Sequence, residues 1–228
     1  MIIRMISKKF TESQSELSST FYKTYLRTLG VMPHKRTLDI GCGWGFMSEY
    51  FEGYYLGLDL SDEKIKFARR LYGPKFEVQN ILDGKLLEKE KFEQITLFTV
   101  LDEIDFKHKA LLKILNILED SGELYIEVRN ADFAIRSLLK ALGLESYRSA
   151  RNLRLGKNES DLDSVQYANL FDSCGFEVIK QYKASRPLVS SSFIQLCKKF
   201  IYLFLDKFVP NHRCFMLGFV LRKKSPSL

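Results

Sequence analysis

Residues 37–46 read TLDIGCGWGF, a short apolar run that ends in a glycine-rich turn, and this stretch decides the fold. Thr37 to Ile40 have the composition of a buried strand, and Gly41, Gly43 and Gly45 follow at alternate positions. Three glycines at this spacing serve no evident packing purpose, so the pattern indicates that backbone is brought close to a ligand. The stretch therefore predicts a ligand site at the end of the first strand.

Length and composition limit the other readings of the chain. With 228 residues, 46% of them hydrophobic, the chain can bury one substantial core, which fits a single α/β domain over residues 1–228. No apolar run reaches the roughly 18–20 uncharged residues of a membrane span, and Arg4 and Lys8 interrupt the apolar start too early for a signal peptide. We therefore expect a cytoplasmic protein. The four cysteines form no CxxC pair and have no histidine partners at metal spacing, so neither a metal site nor a disulfide framework is predicted.

The positive charge of the chain is concentrated at one end. Residues 180–228 contain ten Lys or Arg residues and one acid, whereas the whole chain has a net charge of +7. A basic end on a slightly acidic body suggests an anionic partner such as lipid, phosphate or nucleic acid. The alternative is that the lysines only keep a surface soluble.

Predicted strands alternate with predicted helices along most of the chain, which is typical of βαβ crossovers and of a Rossmann-like, doubly wound, mostly parallel sheet. The right-handed crossover rule brings the loops after the strands to one edge, where ligand is expected. The predicted helices cover about 16–29 (after a capping box at Ser13 and Glu16), 44–53, 61–73, 106–118, 131–142 and 164–174. The predicted strands cover about 37–41, 54–60, 75–79, 94–100, 123–129, 176–183 and 214–222.

The tail departs from this alternation. Residues 193–208 have a narrow polar face and a wide apolar one, which predicts an amphipathic helix within 190–209, inserted between the last two strands. We expect a helical cap at 1–33, a ligand-binding core at 34–130 and substrate-side elements at 131–228.

The glycine pattern excludes two common nucleotide sites. A dinucleotide fold requires G-x-G-x-x-G, but Phe46 stands where the third glycine would be, which argues against a dehydrogenase. The stretch also lacks the Gly-Lys-Ser/Thr of a P-loop, which argues against nucleotide hydrolysis.

Several motifs in order resemble those of the class I S-adenosylmethionine-dependent methyltransferases, in particular the small-molecule, ubiquinone-type O-methyltransferase branch. Residues 38–45 resemble the first motif of that family, and Asp59 lies in a likeness of the second, eighteen positions after Gly41. Further likenesses are found at 78–81, at 92–104, and at 118–124, the turn before a fifth strand. The resemblance covers roughly residues 35–130 and implies a seven-stranded sheet with an antiparallel last strand.

The resemblance also implies roles for particular residues in holding S-adenosylmethionine. Asp59 would accept hydrogen bonds from both ribose hydroxyls, because a carboxylate offers acceptors alone. The helix expected after the glycine turn would favour the carboxylate of the cofactor. The other contacts are implied for the backbone of Gly41, Cys42 and Gly43, for Asp39 and the backbone carbonyl of Phe98 at the ammonium, and for Leu60, Asn80 and Ile81 at the adenine.

The acceptor side is less well defined. Relatives commonly have Glu-His after Val-Leu, but this chain has Asp102-Glu103, so a histidine mechanism is not supported. Either carboxylate could act as a general base, or the pair could simply favour a helix start. No Asp-Pro-Pro-Tyr or Asn-Pro-Pro-Tyr occurs, which disfavours amino methylation of a nucleic acid base. Further substrate-side candidates are Arg129, Tyr147, Arg148 and Arg151.

We therefore expect O-methylation of a small-molecule acceptor that is hydrophobic, lipid-linked or anionic. The 190–209 helix could contact an anionic membrane at its inner face, form a homodimer or dock a partner, or pack in the core. The alternatives for the function are N- or C-methylation of a soluble metabolite, and a non-catalytic adenosyl-binding or partner-docking protein.

Overall fold

The computed structural model describes residues 19–83, 90–131, 162–184, 210, 214 and 216–225. Within these residues four helices and seven strands follow one another. Their order is α1 (19–29), β1 (Thr37–Ile40), β2 (Tyr55–Asp59), α2 (Asp62–Tyr72), β3 (Phe76–Val78), β4 (Phe92–Phe98), α3 (Lys107–Ile117), β5 (Leu118–Arg129), α4 (Ser164–Ser173), β6 (Phe176–Lys183) and β7 (Met216–Lys223).

The strands form one seven-stranded sheet in the order β3-β2-β1-β4-β5-β7-β6. Strand β1 pairs in parallel with β2 and β4, and β2 pairs in parallel with β3. Strand β7 runs antiparallel to both β5 and β6. The predicted mostly parallel sheet with an antiparallel last strand is therefore confirmed, while the predicted helix at 190–209 lies outside the described residues.

Contacts divide the chain into two compact units, Met1–Thr96 with Ile117–Gly122, and Leu97–Asn116 with Glu123–Leu228. The assignment of residues 1–228 to one domain, with its boundaries near 33 and 130, stays a prediction. The predicted capping box at Ser13 and Glu16 and the predicted helix at 131–142 lie outside the described residues, apart from Ala131.

The first unit is built on β1, which is buried along its whole length, and on α2. Helix α2 begins where the sequence predicts, because the Ser61 side chain accepts a hydrogen bond from the Lys64 backbone and two acids follow in the first turn. It ends at Gly73, whose φ of +88° terminates the helix. This predicted helix is confirmed.

The second unit has its own aromatic core. The rings of Tyr167 and Phe171 on α4 stack with centroids 6.0 Å apart, and Phe219 on β7 contacts both. Asp163 caps α4 in a capping box with Gln166, which satisfies free backbone donors at the start of the helix.

Two local predictions are wrong. No α-helix covers 44–53, because Gly43 and Gly45 have φ values of +58° and +80°, outside the right-handed helical region, and only a 3₁₀ turn follows at Ser48–Tyr50. The turn expected at 118–124 is part of strand β5, and Gly122 is not among the glycines with positive φ.

Candidate functional site

The loop after β1 is shaped by three glycines in the left-handed region. Gly41, Gly43 and Gly45 have φ values of +76°, +58° and +80°. The backbone nitrogens of Gly41 and Cys42 both donate to the carbonyl of Leu58, at 2.6 and 2.9 Å. The loop is therefore attached to the end of β2.

The three glycines do not serve one purpose. A Cβ built on Gly45 would lie 2.8 Å from the ring of Phe76 and 2.9 Å from Ala68 Cβ, whereas a Cβ on Gly43 would meet nothing within 4 Å. The expectation that these glycines have no packing purpose is therefore wrong for Gly45. Gly43 instead leaves open space beside its backbone, where a ligand can approach.

Gly57 on β2 is a second packing glycine, which sequence reasoning missed. A Cβ there would lie 2.6 Å from the Phe76 ring and 2.9 Å from the sulfur of Cys42. Cys42 itself is buried, and burial raises the pKa of its thiol well above the ordinary range. Cys42 can therefore serve a ligand through its backbone, while its side chain fills the space left by Gly57.

Asp59 lies at the end of β2 with its carboxylate tied to the same loop. One oxygen, Oδ2, accepts from the Gly43 backbone at 3.0 Å, and Oδ1 accepts from the Ser61 backbone at 2.9 Å. Lys64 Nζ lies 3.7 Å from Oδ2, and the side chain is 11% exposed. Because each carboxylate oxygen has about two acceptor positions, both oxygens can still accept from a ligand, so the residue fits a ribose diol.

Two apolar residues and an amide accompany Asp59 in the first unit. Leu60 is 70% exposed although it is a large hydrophobic residue, whereas Ile81 is buried. The Oδ1 of Asn80 accepts from the Leu82 backbone at 2.9 Å, which fixes the amide and leaves Oδ1 one further acceptor position. An exposed leucine and an oriented amide in the same unit are compatible with an aromatic ligand ring.

Asp39 is buried in the first unit. Its Oδ2 accepts from the Tyr55 hydroxyl at 2.7 Å, and its Oδ1 accepts from the Thr96 hydroxyl at 2.8 Å. Burial, and then the charge of Asp39, raise the pKa of Tyr55 well above 10.0, so this phenol stays a donor. The predicted contact between Asp39 and a cofactor ammonium stays a prediction.

In the second unit the structure brings three of the predicted residues together. Arg129, at the end of β5, donates from Nε to Asp102 Oδ2 and from Nη2 to Glu103 Oε1. The side chain of Asp102 is 1% exposed, and those of Arg129 and Glu103 are 25% and 30% exposed. Burial alone would lower the pKa of Arg129, but the two carboxylates outweigh it and raise the pKa, so the guanidinium stays charged.

One atom of this cluster lacks a partner. Asp102 Oδ1 is buried and accepts no hydrogen bond from the residues that the structure describes. A buried carboxylate oxygen that accepts nothing is unfavourable, and it suggests that a ligand or a water supplies the missing donor.

The loop that carries Asp102 begins in an unusual conformation. Thr99, directly after β4, has a φ of +55°, a value that a β-branched residue rarely adopts. Its backbone nitrogen donates to the carbonyl of Glu127 on β5 at 2.7 Å. Phe98, for which the resemblance implies a carbonyl contact to the cofactor, precedes it and is buried.

Sequence reasoning missed a further buried acid in the second unit, which lies on β5. Glu127 is fully buried, and the Tyr182 hydroxyl on β6 lies 3.5 Å from its Oε1. Gly218 on β7 pairs with both residues, and a Cβ on Gly218 would clash with the Tyr182 ring that crosses it. The available signal was the alternation of Glu127 and Arg129 at the otherwise apolar end of the strand, residues 124–129.

The remaining substrate-side candidates, Tyr147, Arg148 and Arg151, lie outside the described residues. In the part of the chain that the structure describes, no group of three or more His, Cys, Asp or Glu residues could hold a metal ion. No helix among these residues is long and apolar enough to cross a bilayer.

Comparison with known proteins places the chain in a family. A family model described as "Methyltransferase domain" matches residues 15–181. The chain belongs to this family. The resemblance to class I S-adenosylmethionine-dependent methyltransferases is thereby confirmed, and so is the prediction of an enzyme.

Two curated relatives of this methyltransferase share a name. The chain is 33% identical over 111 residues to the mitochondrial ubiquinone biosynthesis O-methyltransferase of Candida albicans. The match covers 42% of this chain and 33% of that protein. It is 29% identical over 108 residues to the ubiquinone biosynthesis O-methyltransferase of Glaesserella parasuis serovar 5 (strain SH0165), which covers 42% and 46%. The matches thus span less than half the length of these two relatives.

A solved structure confirms the fold of this methyltransferase over nearly the whole chain. The plantazolicin methyltransferase BpumL, crystallised with a monoazolic desmethylPZN analog and SAH, superposes with a TM-score of 0.58 at 20% identity. The match covers 97% of this chain and 90% of that one. At this identity the likeness establishes the fold alone.

Proposed function

We propose that this methyltransferase uses S-adenosylmethionine as methyl donor and methylates an oxygen atom of a small acceptor. The observation that carries the donor half is the Asp59 carboxylate, which holds the Gly43 backbone and keeps acceptor positions for two more hydroxyls. The family assignment and the solved complex of BpumL with SAH support the same donor.

The donor residues have separate roles in this proposal. Asp59 binds the two ribose hydroxyls, and the open space at Gly43 lets the backbone approach the amino-acid part of the cofactor. No α-helix begins after this loop, so the donor carboxylate would be held by loop backbone and not by a helix N-terminus. The remaining contacts are those of Gly41 and Cys42 through backbone, Leu60 and Ile81 on the faces of the adenine, Asn80 at its amine, and Asp39 and the Phe98 carbonyl at the ammonium.

The names of the two curated relatives and the state of Asp102 support an oxygen acceptor. Both relatives are named ubiquinone biosynthesis O-methyltransferase, so their names give oxygen as the atom that they methylate. The sulfonium of the donor supplies an activated methyl group, and a phenolic acceptor reacts well only after it loses its proton. Asp102 Oδ1, buried and without a partner, would accept that proton or its hydrogen bond, while Arg129 holds Oδ2.

Other acceptors and settings remain alternatives within this proposal. N- or C-methylation of a soluble metabolite would use the same donor residues, and a non-catalytic adenosyl-binding protein would bind donor without transfer. A lipid-linked or anionic acceptor, peripheral membrane contact, a homodimer and a cytoplasmic location rest on segments outside the described residues or on composition. Flotation with anionic vesicles and light scattering test the membrane contact and the dimer.

Calorimetry with S-adenosylhomocysteine tests the donor site. Asp59→Ala should weaken binding by about 100-fold, because it removes two hydrogen bonds to a charged acceptor. Asp62→Ala is the matched control, since Asp62 lies on the next helix, is 61% exposed and forms a surface ion pair with Lys66. Undiminished binding by Asp59→Ala would show that the donor assignment is wrong.

Methyl transfer from labelled S-adenosylmethionine to 1,2-dihydroxybenzene, compared with benzylamine, tests the acceptor atom. Asp102→Asn should lower transfer to the catechol by about 100-fold and leave the affinity for S-adenosylhomocysteine unchanged, because a general base typically contributes this much. Asp105→Asn, an exposed acid on the same loop, is the control. Transfer only to the amine would contradict an oxygen acceptor.

A further inference from the structure

The loop after β4 has an unfavourable backbone conformation and is attached by two residues of strand β5. Thr99 has a φ of +55°, where its branched Cβ crowds the backbone. Such a conformation persists only when the surroundings enforce it, and it is found most often at functional sites.

Two alternate residues of β5 attach the loop. The Glu127 carbonyl accepts from the Thr99 backbone at 2.7 Å, and the Arg129 side chain forms ion pairs with Asp102 and Glu103. One contact therefore fixes the start of the loop and the other fixes its 3₁₀ turn at Leu101–Glu103.

The strand that provides these contacts is itself fixed. Glu127 and Arg129 pair in register with Gly218 and Met216 on β7. Arg129 is well suited to the task because a guanidinium presents several donors in a planar fork and can bind two carboxylates at once. A lysine ammonium could not reproduce that geometry.

We propose that Arg129 is a positioning residue that holds the 99–103 loop in its strained turn and thereby fixes the backbone of Phe98, the residue for which a donor contact is proposed. This inference rests on the proposed function, because it is the donor that Phe98 would contact. Arg129 acts here through Asp102 and Glu103, and the substrate contact that the sequence suggested for it stays a prediction.

A double-mutant cycle tests the proposal without knowledge of the acceptor. The variants are Arg129→Gln, Thr99→Gly and the double variant, and the readouts are affinity for S-adenosylhomocysteine by calorimetry and the thermal midpoint. Arg129→Gln should weaken binding about 10-fold, because a tenfold change in affinity corresponds to the strain energy of one residue in an unfavourable backbone conformation. Thr99→Gly should restore binding in that background to within about 3-fold of wild type, because glycine adopts the turn without strain.

Further variants separate positioning from a general loss of structure. Arg222→Gln removes another arginine that pairs with a carboxylate on β5, Glu123, and should leave binding unchanged. Arg129→Lys should behave like Arg129→Gln. Glu103→Gln, which keeps the Asp102 pair, should give a smaller loss and serves if Arg129→Gln does not fold.

The possible results are distinct. Unchanged binding in Arg129→Gln, or a loss that Thr99→Gly does not rescue, would overturn the proposal. If the wild type does not bind S-adenosylhomocysteine, the proposed function fails instead. The thermal midpoints still test the positioning role of Arg129 in that case. If Arg129 holds the loop in its strained turn, Arg129→Gln lowers the midpoint less in the Thr99→Gly background than in the wild type. Additive shifts of the midpoint would overturn the proposal.

Discussion

Gly43 and Thr99 have nearly the same φ, +58° and +55°, in the loops that follow β1 and β4. The first loop reaches this conformation with a glycine, which needs no support and leaves open space for a ligand. The second reaches it with a β-branched residue, and contacts from β5 hold it there. The difference shows that one backbone conformation can be intrinsic in one loop and imposed in another.

Gly45 lies in the same loop as Gly43 but is required for packing and not for the approach of a ligand. Gly45→Ala should destabilise the protein by about 3 kcal/mol, because it combines a positive φ with overpacking. The new Cβ would lie 2.8 Å from Phe76 and 2.9 Å from Ala68. Urea unfolding followed by circular dichroism measures the loss.

An unchanged urea midpoint in Gly45→Ala would show that Phe76 moves aside, and the packing role of this glycine would then be wrong. Gly30→Ala is the control, because Gly30 has a φ of +88° but a Cβ there would meet nothing within 4 Å. Its loss should reflect the conformation alone.

The first loop contains a buried titratable group, the Cys42 thiol, that makes stability depend on pH. Burial, then Asp39, raise the pKa of Cys42 far above its ordinary 9.0, and burial does the same for Tyr55. The folded state therefore keeps protons that the unfolded state releases above about pH 9, so stability falls as pH rises. Each group contributes about 1.4 kcal/mol per pH unit once the unfolded group has ionised.

Urea midpoints between pH 9 and pH 11 check this dependence. Cys42→Ala should show a shallower fall than wild type, because one of the two groups no longer titrates. Thr99→Asn, in the loop held by ion pairs, should keep the wild-type slope. Equal slopes in wild type and Cys42→Ala would contradict the buried, neutral thiol.

The sequence predicted those parts of the molecule that depend on local pattern. The positions of the strands along the chain and the start of α2 follow from local hydrophobic pattern and from the cap at Ser61, both of which act within a few residues. The glycine turn was located correctly, but the packing role of Gly45 depends on Phe76, thirty-one positions away. The absence of a helix after the turn depends on φ values that composition does not specify.

The cluster after β4 could be predicted only in part. Asp102, Glu103 and Arg129 were each candidates, but their meeting depends on the register between distant segments. The strained φ of Thr99 has no local signal, because threonine is a poor choice for that conformation and is tolerated only through tertiary contacts. Contacts of this kind become visible only in three dimensions.

Gly43→Ala tests the loop after β1, whose conformation is intrinsic to glycine. It should cost only about 1 kcal/mol, the penalty of a left-handed alanine, because the new Cβ would meet no atom of the described residues within 4 Å. Binding of S-adenosylhomocysteine should nevertheless fall strongly, since the Cβ occupies the space proposed for the donor. Trp44, the one tryptophan in the sequence and the next residue, provides a fluorescence readout. A variant that is both stable and fully binding would show that the donor does not approach Gly43.

Thr99→Asn tests the imposed side and has the smallest expected effect. Asparagine tolerates a φ near +55° better than a β-branched residue does, so the variant should gain about 0.5–1 kcal/mol in the free energy of unfolding. The gain arises because asparagine removes the strain that the contacts from Arg129 and Glu127 offset in the wild type. The variant keeps both contacts. Thermal unfolding of wild type, Thr99→Asn and Thr99→Val resolves it, since valine keeps the branched Cβ and should give no gain. A loss of stability in Thr99→Asn would show that the threonine hydroxyl matters more than the strain.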